Sequence, residues 1–119
     1  MLSGCGGAVG KGILKQLSKQ LGASQVVACD LNAEKSDKLP PCVYEQLDVR
    51  DKERYEEIVI KHKVDQIIHL AAIVTGVGEK NPKLAYDVNV TGSKNALDVA
   101  MYQGCGIFIP SSIVCFGGD

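Results

Sequence analysis

Apolar positions along this chain change their spacing several times, and each change marks an expected element. Ile13, Leu14, Leu17 and Leu21 recur every three or four residues, which predicts an amphipathic helix stopped by Gly22. The unbroken run Val26-Val27-Ala28-Cys29, ending at Asp30, reads as a buried strand. Residues Asn32 to Pro41 are polar and close on Pro40-Pro41, so they form a connecting loop with at most a short turn. Val43 to Val49 is a third strand-like stretch. Asp51 stands where a helix cap belongs, ahead of Tyr55, Ile58 and Val59 on one face and Lys61 and Lys63 near the end. A fourth strand is expected over Val64 to Ala72 and a fifth over Ile107 to Ser111. Between them, Leu84, Val88, Leu97 and Ala100 predict one helix from about Pro82 to Gln103, with those four side chains as its buried stripe. Gly92 inside that helix costs about 1 kcal/mol against Ala. Close packing of the helix against the sheet or a bound molecule would explain it.

Strand and helix alternate throughout, the pattern of a parallel sheet with helices on both faces. In such sheets ligands bind beyond the carboxyl ends of the strands. The residues there are the N-terminal glycine stretch, Asp30, Asp48-Val49, Ala71 to Gly76, and Ser111-Ser112. The first two are the most telling. Ser3-Gly4-Cys5-Gly6-Gly7-Ala8-Val9-Gly10 opens into the first helix, and Asp30 follows twenty residues later. Glycines at 4, 7 and 10 permit a tight turn, close approach of backbone to phosphate, and close helix–strand packing. The helix start adds unpaired N–H groups and the positive end of its dipole. A carboxylate at Asp30 suits ribose hydroxyls, so the pair predicts a dinucleotide site. The loop is not that of a kinase or ATPase, because Gly10-Lys11 is followed by Gly12 and Cys5 stands five residues before Gly10. Asp30 would repel a 2′-phosphate, and Leu31-Asn32-Ala33 offers no Arg or Lys, which favours NAD over NADP.

Composition narrows the remaining choices. The 119 residues make one domain, 45% hydrophobic and 23% charged. A net charge of −1 gives no electrostatic case for nucleic acid or an anionic membrane. No apolar run approaches the length of a membrane span. Cys5, Cys29, Cys42, Cys105 and Cys115 include no Cys-x-x-Cys pair and read as small buried hydrophobes in a reducing compartment. His62 and His69 have no partner at metal-ligand spacing, so no metal site is expected. Only Met1-Leu2-Ser3 precede Gly4, and the chain stops at Gly117-Gly118-Asp119. Residues 1–119 are therefore expected to be an incomplete nucleotide-binding domain, its first strand shortened and a substrate region lying elsewhere. Targeting is not readable from such a start; cytoplasm and mitochondrial matrix are the compartments expected.

Five motifs in order carry a resemblance. They are Gly4-x-x-Gly7-x-x-Gly10, Leu47-Asp48-Val49, His69-Leu70-Ala71-Ala72, Val88-Asn89-Val90-Thr91-Gly92, and Ser111-Ser112-Ile113-Val114-Cys115-Phe116-Gly117. The series resembles the extended short-chain dehydrogenase/reductase superfamily, also called the NAD-dependent epimerase/dehydratase family. A narrower likeness, to the short-chain L-threonine 3-dehydrogenases, lies in Gly76-Val77-Gly78-Glu79-Lys80-Asn81-Pro82 and in Ile107 to Ile113 with Phe116-Gly117. Nucleotide-sugar epimerases usually carry Tyr-Gly in the place of Phe116-Gly117.

The resemblance implies a Rossmann-type doubly wound parallel sheet and NAD as cofactor. It places Gly4, Gly7, Ala8, Val9 and Gly10 at the pyrophosphate, and Asp30 with Leu31 at the adenosine ribose. Asp48 and Val49 would border the adenine, and Leu70, Ala71 and Ala72 would line the cofactor groove with Asn89 nearby. Asn89 also suits the simpler task of bonding neighbouring backbone. Ser112 matches the family's catalytic hydroxyl, with Ser111 and Thr75 toward the substrate; a loop Thr also commonly caps a turn. His69 fits a structural strand histidine. The family's Tyr-x-x-x-Lys motif does not occur, since Tyr44, Tyr55, Tyr86 and Tyr102 are followed four residues on by Asp48, Val59, Val90 and Gly106. For the complete protein the resemblance implies oxidation of L-threonine at its 3-hydroxyl, a small-molecule substrate and homodimerisation. Two rival readings stay open, a nucleotide-sugar epimerase or dehydratase and a non-catalytic NAD-binding module.

Overall fold

Leu2–Ser3 (β1), Val27–Asp30 (β2), Val43–Gln46 (β3), Gln66–His69 (β4) and Gly106–Phe108 (β5) pair side by side in one sheet, in the order β3-β2-β1-β4-β5. Every pairing is parallel. This computed structural model describes residues 1–112 and 117, apart from the side chain of Thr75. The chain lays β2 and β3 to one side of β1, then returns to add β4 and β5 on the other. A crevice at the carboxyl ends follows from that reversal of strand order.

The helices are Ala8–Leu21 (α1), Lys52–Lys61 (α2), Thr75–Lys80 (α3), Pro82–Tyr86 (α4) and Gly92–Gln103 (α5), with a π turn over Asp87–Thr91 joining the last two. Gly22 ends α1, its N–H donating to the Ser18 carbonyl at 3.0 Å. Asp51 caps α2 by accepting from the Arg54 N–H at 3.0 Å. Asn81 caps α4 from the Leu84 N–H, with Pro82 in the first turn where its missing donor costs nothing.

Alternation along the strands divides the core in two. Val27 and Cys29 of β2 and Ile67 of β4 meet Tyr55, Ile58 and Val59 of α2 and Ala96, Val99 and Ala100 of α5. On the opposite face, Leu2, Val26 and Ala28 meet Leu14 of α1 and Leu39 of the loop. Cys5 and Cys29 are fully buried, and burial pushes their thiols up to about 11 and about 12, so they behave as small hydrophobes. Cys42 and Cys105 are half-buried, while Cys115 lies outside the described residues.

Several expectations need correction. The ladders are shorter than the apolar runs. β3 stops at Gln46 rather than Val49, β4 covers Gln66–His69 rather than Val64 to Ala72, and β5 ends at Phe108, ahead of Pro110. Leu47 and Leu70 still donate to the Asp30 and Ser3 carbonyls, at 2.8 and 3.0 Å, before the chain leaves the sheet. Leu21 and Leu97, placed in buried stripes by spacing, are 56% and 50% exposed. The face that α5 buries is Gly92, Asn95, Ala96, Val99 and Ala100, mostly small residues that let the helix sit close. A Cβ on Gly92 would lie 2.6 Å from Val49 Cγ2, so the close packing expected there is against the end of the β3 region. Helix α3 and a short 3-10 turn over Ala23–Gln25 were not foreseen.

Candidate functional site

The glycine loop is welded to the strand ends around it. Gly4 and Cys5 both donate to the Cys29 carbonyl, at 3.0 and 3.2 Å. Gly4 has φ +79, and a Cβ there would stand 2.6 Å from the Ala71 nitrogen. A Cβ on Gly10 would come within 2.5 Å of the Gly4 carbonyl, so α1 enters directly against the loop it follows. Gly7 precedes α1 without a side chain to cap it, and the nearest atom to a Cβ there is 3.9 Å away. The first-turn amides of α1 are left for a partner from outside the helix, the arrangement that receives phosphate.

Asp30 ends β2 beside this loop. Its Oδ2 accepts from the Gly6 N–H at 2.6 Å and its Oδ1 from the Leu31 N–H at 2.8 Å. Each oxygen keeps acceptor capacity for a hydroxyl. A Cβ on Gly6 would lie 2.5 Å from Oδ2, so the carboxylate occupies space that a larger side chain at position 6 would contest.

A cleft of about 480 Å³ opens at these strand ends. Gly4 and Gly7 form its floor; Asp30, Leu31, Asp48 and Val49 stand on one side and Leu70, Ala71 and Ala72 on the other. The size falls in the range usual for small-molecule and cofactor sites. Nine of the residues singled out from sequence thus share one wall-and-floor arrangement. Gly6 and Ile73, which fall within the glycine stretch and the Ala71 to Gly76 loop expected there, also line it; Leu47, Arg50, Leu84 and Val88 do so too and had not been assigned to the site. Leu47 and Val88 open the Leu47-Asp48-Val49 and Val88 to Gly92 motifs, which were the available signal for them; Leu84 had only its place in the helical stripe, and Arg50 carries no motif.

Asp48 is held by a fork from Arg50, with Nε 3.0 Å from Oδ1 and Nη2 2.6 Å from Oδ2. The guanidinium keeps the Asp48 carboxyl below its ordinary value. Asn89 sits in the π turn and clamps the loop after β4, its Oδ1 accepting from the Ile73 N–H at 2.7 Å and its Nδ2 donating to the Ile73 carbonyl at 2.9 Å. This is the backbone-bonding task rather than a cleft-facing one. Beneath the loop, His69 Nδ1 lies 2.8 Å from Ser3 Oγ and 3.0 Å from the Tyr55 hydroxyl. Burial lowers the His69 value to about 4, so the ring is neutral and acts structurally.

Ala8, Val9 and Gly10 occupy the first turn of α1; Val9 is 67% exposed and Gly10 is buried under Gly4. Thr75 begins α3. Ser111 and Ser112 follow β5 at the same end of the sheet, exposed and outside the cleft wall. Ile113 to Phe116, the rest of that motif, lie outside the described residues.

A glycine-lined phosphate cradle, an uncapped helix start and an acid on the neighbouring strand, meeting where strand order reverses, define a dinucleotide-binding α/β domain. Comparison with known proteins narrows the class. Residues 1–118 match the model of the 3-beta hydroxysteroid dehydrogenase/isomerase family, and the chain belongs to that family, within the extended short-chain dehydrogenase/reductase superfamily. An uncharacterized epimerase/dehydratase of Staphylococcus saprophyticus is 37% identical over 118 residues, covering 98% of this chain and 37% of the relative. Among solved structures, a monomeric L-threonine 3-dehydrogenase recovered from a metagenome superposes with a TM-score of 0.90 at 38% identity, covering 99% of this chain and 37% of that one. An L-threonine dehydrogenase from Clostridium difficile gives 0.86 at 34% identity, over 95% of this chain and 36% of that one. The chain thus spans little more than a third of the length of these relatives. The family implies a nicotinamide nucleotide cofactor, and the cradle at Gly4, Gly7 and Gly10 with the Asp30 carboxylate fits one. No helix among the described residues is long and apolar enough to cross a membrane.

Proposed function

We propose that residues 1–119 supply the NAD site of an NAD-dependent dehydrogenase that oxidises L-threonine at its 3-hydroxyl to 2-amino-3-oxobutyrate. The observation that carries the cofactor half of this reading is the Asp30 carboxylate, aimed by the Gly6 and Leu31 amides beside the glycine loop. A fixed anion there accepts from ribose hydroxyls and repels a 2′-phosphate, which favours NAD over NADP. Support for the substrate half is the likeness to L-threonine 3-dehydrogenases at 34–38% identity across nearly the whole chain.

In this reading Gly4, Gly7 and the first turn of α1, Ala8 to Gly10, hold the pyrophosphate, while Asp48 and Val49 border the adenine. Leu70, Ala71 and Ala72 form the wall toward the nicotinamide, which supplies the hydride acceptor when bound. Ser112 holds the substrate oxygen, with Ser111 and Thr75 beside the amino acid. The hydroxyl proton goes to a tyrosinate from a Tyr-x-x-x-Lys segment beyond residue 119. Such a proton acceptor contributes roughly 10²- to 10⁴-fold in rate, so the 119 residues alone are expected to bind cofactor and turn over little.

The test is NADH formation by the full native protein with NAD and L-threonine, run beside NADP, together with an assay for interconversion of UDP-glucose and UDP-galactose, which returns its hydride to the sugar and releases no net NADH. Threonine-dependent NADH, lost in Ser112→Ala, supports the proposal. A response to a sugar nucleotide and none to threonine replaces it with the epimerase reading, which the names of the staphylococcal relatives favour.

A further inference from the structure

We propose that Tyr55 is a positioning residue for the cleft: its hydroxyl, delivered from α2, holds the His69 ring so that Ser3 keeps the glycine loop at the spacing a dinucleotide needs. The inference rests on the dinucleotide reading above and adds to it a residue that lines no part of the cleft.

Ser3 and His69 are partners on the last rung of the β1–β4 ladder. Each leads straight into the cleft, Ser3 into Gly4 and His69 into Leu70 and Ala71, and Ser3 itself lines it. The two continuations come so close that a Cβ on Gly4 would stand 2.6 Å from the Ala71 nitrogen. The contact between Ser3 Oγ and His69 Nδ1, 2.8 Å long, ties the same two strands one residue below that approach. Whatever fixes the imidazole therefore fixes the separation of the strand ends on which the loop rests.

Only one edge of that ring is held. Nε2 is buried and has no hydrogen-bond partner among the described residues. Orientation is set at Nδ1, by Ser3 Oγ at 2.8 Å and the Tyr55 hydroxyl at 3.0 Å. Of these two, Tyr55 alone comes from outside the sheet. Its side chain is fully buried, and burial raises its hydroxyl above the ordinary phenol value, so it keeps its proton. Its companions on the buried face of α2, Ile58 and Val59, are aliphatic. A phenylalanine would fill the same space with no polar group to desolvate, so a hydroxyl there is costly unless bonded, and His69 is what it bonds.

Buried polar contacts of this kind specify an arrangement. With Tyr55 in place, a half-turn of the imidazole breaks both bonds at Nδ1. Without the hydroxyl, the same half-turn breaks only the Ser3 bond. Ser3 is then left to turn, and the strand ends beneath the glycine loop lose their fixed spacing.

The experiment titrates the full native protein and Tyr55→Phe with NADH. Alongside, NMR of isotope-labelled histidine records the ring nitrogens, with His69→Gln assigning the signals. NADH affinity is expected to fall about fivefold in Tyr55→Phe, the size of one neutral hydrogen bond. A neutral imidazole carries one N–H and one bare nitrogen. In the native protein the two His69 signals should stand well apart, as one fixed tautomer; in Tyr55→Phe they should draw together as both are sampled. In Ser3→Ala the Tyr55 hydroxyl has nothing left to position, so adding Tyr55→Phe should weaken NADH no further. A merely structural Tyr55 would lower the melting temperature and leave affinity and nitrogen signals as they are, and that result overturns the proposal. Full multiplication of the two effects in the double variant overturns it as well. Should Tyr55→Phe fail to fold, the native signals decide: drawn together they show a ring that is not held and overturn the proposal, and well apart they support it. Native protein that binds no NADH sinks the dinucleotide reading and this proposal with it, whereas unchanged binding in Tyr55→Phe sinks this proposal alone.

Discussion

Two demands meet at Gly4, and only glycine satisfies both. Its φ of +79 lies in the left-handed region, and the space a Cβ would need is taken by the backbone nitrogen of Ala71 at 2.6 Å. Backbone cannot give way as a side-chain tip can. Gly4→Ala is therefore expected to cost roughly 2–4 kcal/mol, left-handed strain plus displacement of the Leu70-Ala71 segment. NADH affinity should fall at least about tenfold, as the phosphate cradle moves. Gly12→Ala serves as the control, because nothing lies within 4 Å of a Cβ there and α1 should gain about 0.5–1 kcal/mol. Urea unfolding and NADH titration of both variants decide it; a Gly4→Ala protein as stable as native would show the reading of this turn to be mistaken. Gly4 and Gly10 could be picked out in the sequence because their spacing alone encodes the phosphate turn. The bond from Gly6 could not be read, since Asp30 arrives from another strand, nor could the Arg50 fork on Asp48 two residues earlier, since it depends on how the chain turns after β3.

One segment of regular structure departs most from its sequence pattern, the long helical stretch after Asn81. Apolar spacing marks its extent well, Pro82 to Gln103, but not the π turn over Asp87–Thr91 that splits it. The extra residue in that turn rotates α5, so Leu97 faces outward and Asn95, Ala96 and Val99 face in. A π turn often marks a functional position, and this one carries Asn89. Both hydrogen bonds of its side-chain amide go to Ile73, which also fixes which end of the amide is oxygen. Asn89→Ala should cost about 1–2 kcal/mol for the two bonds lost. It should also weaken NADH binding, because Ile73 and its neighbours Ala71 and Ala72 wall the cleft. Asn89→Asp keeps the acceptor for the Ile73 N–H and loses only the donor, so it should fall between native and Ala. Thermal melts with and without NADH read both effects; a stability loss with unchanged affinity would confine Asn89 to the fold. Helix α3 escaped notice for a different reason. Its six residues, Thr75–Lys80, include two glycines and show no apolar period of their own.

For the molecule as a whole, strand–helix alternation was enough to give a parallel sheet with a crevice at its carboxyl ends. What alternation could not give is which polar groups end up inside the sheet's two faces. His69 ends a strand whose pattern marks it only as polar, yet it is 2% exposed and pinned between Ser3 and Tyr55. Glu45 lies on edge strand β3, where spacing suggests a solvated face. Its carboxylate instead meets Lys61 at 2.7 Å, His62 at 2.8 Å and Arg54 at 2.8 Å, tying β3 to α2.

These two groups set how the protein responds to acid. His69 is held neutral, its folded value near 4 against 6.5 in the unfolded chain, because burial disfavours the charged ring. Its contribution is complete above the unfolded value and is lost as pH falls from 6.5 toward 4, on the order of 3 kcal/mol at the lower end. Glu45 is shifted the same way, to about 2, with the Lys61 and His62 hydrogen bonds the leading causes. As a carboxylate, it contributes above the unfolded value of 4.5 and loses that contribution as pH falls toward 2. Stability should therefore fall in two stages. Urea midpoints measured from pH 7 down to 3 should show the first stage flattened in His69→Gln, which cannot charge, and preserved in Glu45→Gln. The lower stage should behave the opposite way. Identical pH profiles for native and His69→Gln would mean that the buried ring is not what acid attacks first, and that the Ser3–His69–Tyr55 contact beneath the glycine loop opens at little cost.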